Sequence, residues 1–311
     1  MTAGRNRGII HNVNFTIVTP SFKQLDYLEC CIASVADQEG VQVEHIVQDA
    51  GTAGFDQFAE KMAQLWPDRP GYRRVMISEK DAGMYDAVNR GLAKGASPLC
   101  AYLNCDEQYL PGSLAKILSA FAQRPSTDVL FGGVLIVKPD GKLIAARMPV
   151  RLSLPHVMTC HLPNFTCAMF FRRTMLRGQD AWFDAKWRDC ADALWVMDRL
   201  AKKTTIGRVS EYSTTFTDTG TNMNLSPNAV REAAEIRDRA PQLWRWTKVF
   251  WVWLHWMGKL FDGAYWPKTV NYSLYTLDNL QRRASFTEQR ATPFWVGRWF
   301  IRERMRWGKG C

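Results

Sequence analysis

Between Phe15 and Leu103 the chain runs repeatedly through one unit: a short run rich in β-branched residues, then a polar loop, then apolar residues at helical spacing. Phe15-Thr-Ile-Val-Thr19 predicts a buried strand stopped by Pro20, and Leu25, Leu28, Ile32 and Val35 then mark one face of a helix. Val43-Glu-His-Ile-Val47 precedes a Gly-containing loop and a helix from about Asp56. Arg74-Val-Met-Ile-Ser78 precedes a helix from about Gly83, and Leu99 to Leu103 opens a fourth pass. Strands separated by helical crossovers pair in parallel, so the expectation is an α/β fold with a mostly parallel central sheet flanked by helices. Its ligand site should lie beyond the carboxyl ends of the strands.

After residue 128 the pattern changes. Val129 to Val137, the turn Lys138-Pro-Asp-Gly141 and Leu143 to Ala146 predict a hairpin, and Cys167 to Phe171 is a further apolar run. Helices are expected from Asp192 to Leu200 and from Pro227 to Arg239, the second with Pro in its first turn. Near residue 241 the composition shifts. Of the formal charge of +10, residues 241–311 carry 12 Lys/Arg against 4 Asp/Glu, and nine of the 13 tryptophans. With 311 residues to place, this divides the chain into a catalytic domain, 1–240, and a basic, Trp-rich helical extension, 241–311.

Such a segment suits an anionic membrane surface better than base reading, so no nucleic-acid partner is expected. Val249 to Met257 is only nine residues and contains His255, too short to span a bilayer. The stretch LWRWTKVFWVWLHWMGKLF reads as a helix lying at a membrane interface or packed on protein, either the catalytic domain or a second subunit of a homo-oligomer. Cys30 and Cys31 are adjacent and no C-x-x-C pair occurs, which suggests reduced thiols. Residues 1–14 lack the apolar core of a signal peptide, so Asn14, Asn164 and Asn271, although in Asn-x-Ser/Thr triplets, are not expected to carry glycans. The expected location is cytoplasmic, peripheral on the inner face of the membrane.

Each strand of the first half ends in polar residues: Thr19-Pro-Ser21, Asp49 before Gly51, Asp81 after Glu79, and Asn104-Cys-Asp-Glu107. Turns favour the same residue types, so the argument rests on their joint placement at the end where α/β sheets bind ligands. The pair Asp106-Glu107 has no nearby His or Cys at zinc spacing. A hard ion, Mn²⁺ or Mg²⁺, shared with substrate phosphates fits it better.

The stretches FTIVTPSFKQLDYLECCIASVADQ, VEHIVQDAGT, SEKDAGMYDAVNRGLAKGA and AYLNCDEQYLPGSL, in this order, resemble the family 2 glycosyltransferases, whose fold is the GT-A nucleotide-sugar-binding domain. The resemblance spans roughly residues 14–225. It implies that Thr19, Pro20 and Ser21 line the nucleoside pocket and that Asp49 accepts a hydrogen bond from the base, usually uracil. Asp81 and Asn89 would shape the donor pocket. The family's Asp-x-Asp metal motif falls on Asn104-Cys105-Asp106, with Asp106 as the direct ligand and Asn104 in place of the first Asp. The implied reaction is inverting transfer of a sugar from a nucleotide-sugar, usually a UDP-sugar, to a glycan or lipid-linked acceptor in cell-surface polysaccharide synthesis.

Inverting transfer needs one carboxylate to deprotonate the acceptor hydroxyl. The family draws it from an acidic residue opening a helix after the insertion, which matches Asp192, with Asp189 as the alternate; the competing reading of Asp192 is an ordinary helix cap. Relatives often carry His-Gln where Thr166-Cys167 stand, which implies different acceptor chemistry. Phe216-Thr-Asp-Thr-Gly-Thr-Asn222 matches a loop near the family's active site. Gln242-Leu-Trp-Arg-Trp246 spells the motif by which processive members hold a polymer, but without their membrane spans it reads as a coincidence in a Trp/Arg-rich segment, and transfer is expected to be non-processive. His156, His161, Cys160 and Cys167 lack metal spacing and are expected to pack in the core. A non-catalytic module that keeps the fold and binds a nucleotide-sugar or glycan is the competing class.

Overall fold

The computed structural model of the chain describes residues 13–178, 181–220 and 226–295. Strands β1 (Phe15–Ser21), β2 (Val43–Asp49), β3 (Tyr72–Ser78) and β4 (Leu99–Tyr102) alternate with helices α1 (Leu25–Ala36), α2 (Phe55–Leu65) and α3 (Met84–Lys94). Among the described residues these four strands pair in parallel, in the order β3-β2-β1-β4. β1 does not stop at Pro20. Its pairing with β4 ends at Val18, so from there on only β2 lies beside it, and an edge strand tolerates a missing N–H.

Beyond β4 the sheet is mixed rather than parallel. β5 (Glu107–Tyr109) and helix α4 (Ser113–Gln123) lead to β6 (Val129–Val137) and β7 (Leu143–Arg147), which form the expected hairpin. Helix α5 (Leu154–Thr159) and a 3-10 turn at Thr166–Ala168 precede β8 (Met169–Arg172), which runs antiparallel between β4 and β6. Helix α6 (Ala191–Ala201) precedes β9 (Ile206–Thr217), a strand that no turn or alternation signal had marked. β9 pairs with β6 in parallel and with β5 antiparallel, setting Phe216 opposite Glu107. Helix α7 (Pro227–Asp238) follows, capped by the Ser226 hydroxyl.

Both faces of the sheet are covered. Phe15 and Ile17 of β1 pack with Cys31, Val35, Leu114 and Phe121 of α1 and α4, whereas Val18 packs with Tyr85, Val88, Leu92 and Trp195 on the α3 and α6 side. Gly91 makes the second layer fit. A Cβ there would lie 2.4 Å from a Val18 methyl, so a side chain would push α3 off β1.

The extension differs from a purely helical tail. Helices α8 (Gln242–Trp246) and α9 (Lys248–Phe261) are followed by an antiparallel hairpin, β10 (Lys268–Thr276) and β11 (Asn279–Ala291). Val270, Tyr272 and Leu274 alternate along β10 and join Leu110, Leu135, Val137 and Ala146 in one apolar cluster. Gln108 clasps the backbone of Tyr275 with two hydrogen bonds, 2.8 and 2.9 Å, and Arg283 grips Asp37 through Nε and Nη2 at 2.6 and 2.7 Å. The strands won over helix because their alternating side chains meet an apolar sheet edge that a helix would leave open. Among the described residues no helix is long and apolar enough to cross a membrane.

Candidate active site

The ends of β1, β2 and β3 stand in one row, with Ser21 beside Asp49 and Asp49 beside Ser78. The Asp49 carboxylate is fully buried and preorganised by its own turn. Oδ2 accepts from the N–H groups of Gly51 and Thr52 at 2.9 and 2.7 Å and from the Ser78 hydroxyl at 2.9 Å; Oδ1 accepts from the Thr52 hydroxyl at 2.6 Å. Gly51, at φ +86°, allows the chain to turn sharply enough for this. Thr52 also accepts from the Lys23 N–H at 2.9 Å, tying the loop after β1 to the loop after β2. Thr52 and Ser78 were not singled out from sequence, although a Thr three residues after an Asp is a turn signature.

Between these loops opens a cleft of about 550 Å³, lined by Lys23, Gln24, Leu25, Asp26, Tyr27, Thr52 and Ala53. It reaches toward the turn at Asn104–Asp106: Cys105 Sγ donates to Gln24 Oε1 at 3.0 Å, and the phenol of Tyr27 is held up by burial and by the Asp106 charge. A cavity of about 570 Å³ at the opposite end of the sheet, lined by Pro98, Arg172, Arg173 and Trp182, is not a competitor. It lies at the amino ends of the parallel strands, and two of its arginines are engaged by carbonyls: Arg173 by Ser97 and Leu92, Arg172 by Thr127 and Pro125.

In the turn after β4, the Asn104 N–H donates to Glu107 Oε2 at 2.7 Å, and the Glu107 N–H returns to the Asn104 carbonyl at 3.0 Å. Burial pushes the Asp106 carboxyl up, and Glu107, fully enclosed and next to Asp106, is pushed up further. Asn104 Oδ1 and Ser21 Oγ are buried without a hydrogen-bond partner among the described residues. Asp106 and the Asn104 oxygen are hard ligand atoms beside the cleft, and they suit a divalent ion that takes one or two protein ligands and completes its shell with phosphate and water. A dication there would reverse the burial penalty on Asp106.

Three further expected site residues, Thr19, Asn89 and Asp81, are held in different ways. The Thr19 side chain shares the β1 face of Phe15 and Ile17; its hydroxyl bonds His45 Nε2 at 2.9 Å inside the core, so it does not point into the cleft. Burial pulls His45 down to about 3, keeping it neutral. Asn89 gives both ends of its amide to the backbone of Phe183, at 2.7 and 3.2 Å, and so fastens that segment rather than shaping the pocket. Asp81 stands where expected, in the loop after β3, with Oδ1 accepting from the Gly83 N–H at 2.9 Å and its carboxyl held up chiefly by burial.

Asp192 lies in the first turn of α6, and its Oδ2 accepts from the Thr166 hydroxyl at 2.9 Å and the Tyr102 phenol at 3.4 Å. Tyr102 is two residues before Asn104, so α6 brings this carboxylate over the end of β4, next to the acidic turn. Burial holds its carboxyl up, and the bonds from Thr166, Tyr85 and Tyr102 offset that in part. A raised carboxyl in a partly enclosed site can take a proton that an ordinary surface carboxylate could not hold. Asp189 is differently placed: Ser226 and Asn228 occupy its Oδ2 at 2.9 and 2.6 Å, and Glu232 caps the N–H groups of residues 188–190, a tie between the loop and α7. Near the acidic turn, Phe165, Phe216 and Trp295 form an aromatic group with centroids 5.4 to 6.3 Å apart. Residues 221–222 of the loop expected there lie outside the described residues. His156 and His161 pack with His255 of α9, whose ring stacks on His156 at 4.1 Å.

A family model described as Glycosyl transferase family 2 matches residues 16–184. Among curated proteins, a "PGL/p-HBAD biosynthesis glycosyltransferase" of Mycobacterium tuberculosis is 25% identical over 123 residues, 39% of this chain and 47% of that protein. A putative teichuronic acid biosynthesis glycosyltransferase, TuaG of Bacillus subtilis, is 28% identical over 127 residues, 40% of this chain and 48% of its own. The matched region thus spans about half the length of these relatives. Among solved structures, S. aureus TarS 1-349 in complex with UDP-GlcNAc superposes with a TM-score of 0.54 at 16% identity, over 73% of this chain and 67% of that one. The mannosyltransferase PcManGT from Pyrobaculum calidifontis, in complex with GDP-Man and Mn²⁺, does so at 0.50 and 12% identity, over 82% and 80%. These likenesses are ones of fold.

Proposed function

The chain belongs to glycosyl transferase family 2, and from that premise we propose that it transfers a sugar, with inversion and one residue at a time, from a UDP-sugar to a glycan or lipid-linked acceptor in cell-surface polysaccharide synthesis. The observation that carries this reading is the pairing of a cleft whose Thr52 and Gln24 are held by Asp49 and by Cys105 of the acidic turn with a separately mounted carboxylate, Asp192, held by Thr166 and Tyr102 over the end of β4. TarS and PcManGT hold nucleotide-sugars in the same fold, which supports the donor class.

In this reading the cleft takes the nucleoside. Asp49 Oδ1 has one protein donor and keeps a lone pair for an N–H of the base, while Ser21 and the backbone of Thr19 and Pro20 border the nucleoside. Asp106, with the amide oxygen of Asn104, would hold Mn²⁺ or Mg²⁺, which when bound neutralises charge on the leaving diphosphate. Asp192 accepts the proton of the acceptor hydroxyl as that oxygen attacks the anomeric carbon, and Thr166 and Tyr102 fix the direction of its lone pairs. We place this chemistry in residues 1–240. Asn104, standing where an Asp is usual, motivates the alternative of a module that binds the nucleotide-sugar without turnover.

The test is UDP release across a panel of UDP-sugars with Mn²⁺ or Mg²⁺, with Asp106→Ala as control. Metal-dependent turnover abolished by Asp106→Ala is expected. Binding without turnover would favour the module, and no metal-dependent UDP binding at all would sink both.

A further inference from the structure

Helix α9 is turned inside out. Lys248, Trp251, His255 and Lys259, three or four residues apart, face the protein, where His255 stacks on His156 and Lys259 lies 5.0 Å over the Tyr265 ring. The opposite stripe is apolar and faces out: Val249 is 81% exposed, Trp253 53% and Phe261 82%, and α8 adds Trp246 at 75%. Neither helix buries a single residue. Isolated exposed apolar side chains are ordinary, but a continuous stripe of them at helical spacing calls for an apolar partner.

Charge selects among partners. From residue 241 to 277 there are four Lys/Arg and one acid, Asp262, which is paired with Arg208; Lys248 and Lys259 lie on the inward side of α9, which leaves Arg245 and Lys268 as the exposed cations. Arg245 sits on α8 beside Trp246, and Lys268 follows Trp266 at the start of the hairpin. Tryptophans flanked by cations are the signature of a helix lying in the headgroup layer, and helices of 5 and 14 residues can lie along a bilayer but not cross it. We propose that the outward face of α8 and α9 docks on a bilayer surface containing anionic lipid. The hairpin that follows takes no part, because its apolar side is spent on the sheet. α5 packs against both α9 and α6, and α6 carries Asp192. If the proposed transfer holds, the acceptor side of the cleft is thereby set toward the lipid.

Flotation of the full chain with phosphatidylcholine vesicles, with and without phosphatidylglycerol, tests this, with Trp246→Ser/Trp253→Ser/Phe261→Ser as the variant. All three side chains are exposed, so the variant should fold, which UDP binding and circular dichroism check. The wild type should float with phosphatidylglycerol vesicles and less so in high salt, and the variant should bind roughly tenfold or more weakly, three apolar anchors being lost. Equal flotation of both proteins, or none by the wild type, overturns the proposal. So does a wild-type dimer, by light scattering, that the variant turns into a monomer while neither binds vesicles, since the stripe would then meet a second copy. Vesicle binding without any UDP binding would leave the docking standing and remove the proposed transfer instead.

Discussion

The polar groups of the donor half and those of the half that follows are held in different ways. At the ends of β2, β3 and β4 most partners are close in sequence: Asp49 is fixed by Gly51 and Thr52, with Ser78 of the neighbouring strand in addition, Asp81 by Gly83, Asn104 by Glu107. In the other half they are distant: Asp192 is held by Tyr102 and Thr166, Gln108 by Tyr275, His156 by His255. Locally held groups form with their turn and tolerate change elsewhere. Distantly held groups exist only once the whole sheet is assembled, so single substitutions at them should reach further.

The largest expected effect separates two acids three residues apart, both held by distant partners. Asp192→Asn should lower kcat by roughly 10²- to 10⁴-fold, the usual worth of a general base. Asp189→Asn should leave kcat within a few-fold and cost about 1 kcal/mol of stability, by denaturant titration, through its bonds to Ser226 and Asn228. A large kcat loss in Asp189→Asn would reverse the assignment.

Gln108→Ala should destabilise by roughly 2–4 kcal/mol, because it strands the buried N–H and C=O of Tyr275. Thr52→Val, the local counterpart, should cost about 1 kcal/mol. Equal losses in urea melts would erase the distinction drawn between the two halves.

A weaker effect concerns pH. Burial depresses His156 to about 4 and His255 to about 3, with Lys259 adding to both. The unfolded chain binds these protons near pH 6.5 and the folded chain does not. Their contribution to stability is therefore complete above pH 6.5, declines as pH falls below it, and is gone by the folded values. Urea melts between pH 7 and 4 should show this slope, and His156→Phe should flatten it. A slope unchanged in that variant would mean the α5–α9 contact does not govern it.

The smallest expected change is in a profile. Thr166→Val removes a donor that lowers the Asp192 carboxyl, so the acid limb of kcat against pH should move upward by about one unit or less. A limb that stays put would detach Thr166 from the base.

Legibility in the sequence follows the same division. The order of strands and helices through Leu103 could be read because each unit buries one face at its own period, and the acid turn because it closes a strand. The side to which Thr19 points was also open to reading, since alternation puts it with Phe15 and Ile17. Asn89 was not, because its partner, the backbone of Phe183, lies 94 residues away. β9 was missed since its polar, Thr-rich run shows no clean alternation, whereas Val270, Tyr272 and Leu274 did alternate and were obscured by the tryptophans before them. The mixed order of the sheet beyond β4 depends on which edges remain open, and no local pattern encodes that.

The hairpin of residues 268–291 has a consequence for how the protein is made. Until it emerges from the ribosome, Leu135, Val137 and Ala146 lack the cover of Val270, Tyr272 and Leu274, and Trp295 cannot reach Phe165 and Phe216 beside the acidic turn. A nascent chain of 240 residues would carry the cleft residues with a sticky sheet edge and the aromatic group beside the acidic turn incomplete. Shortened versions should therefore aggregate rather than act as trimmed enzymes, and the covered sheet edge becomes available only late in translation.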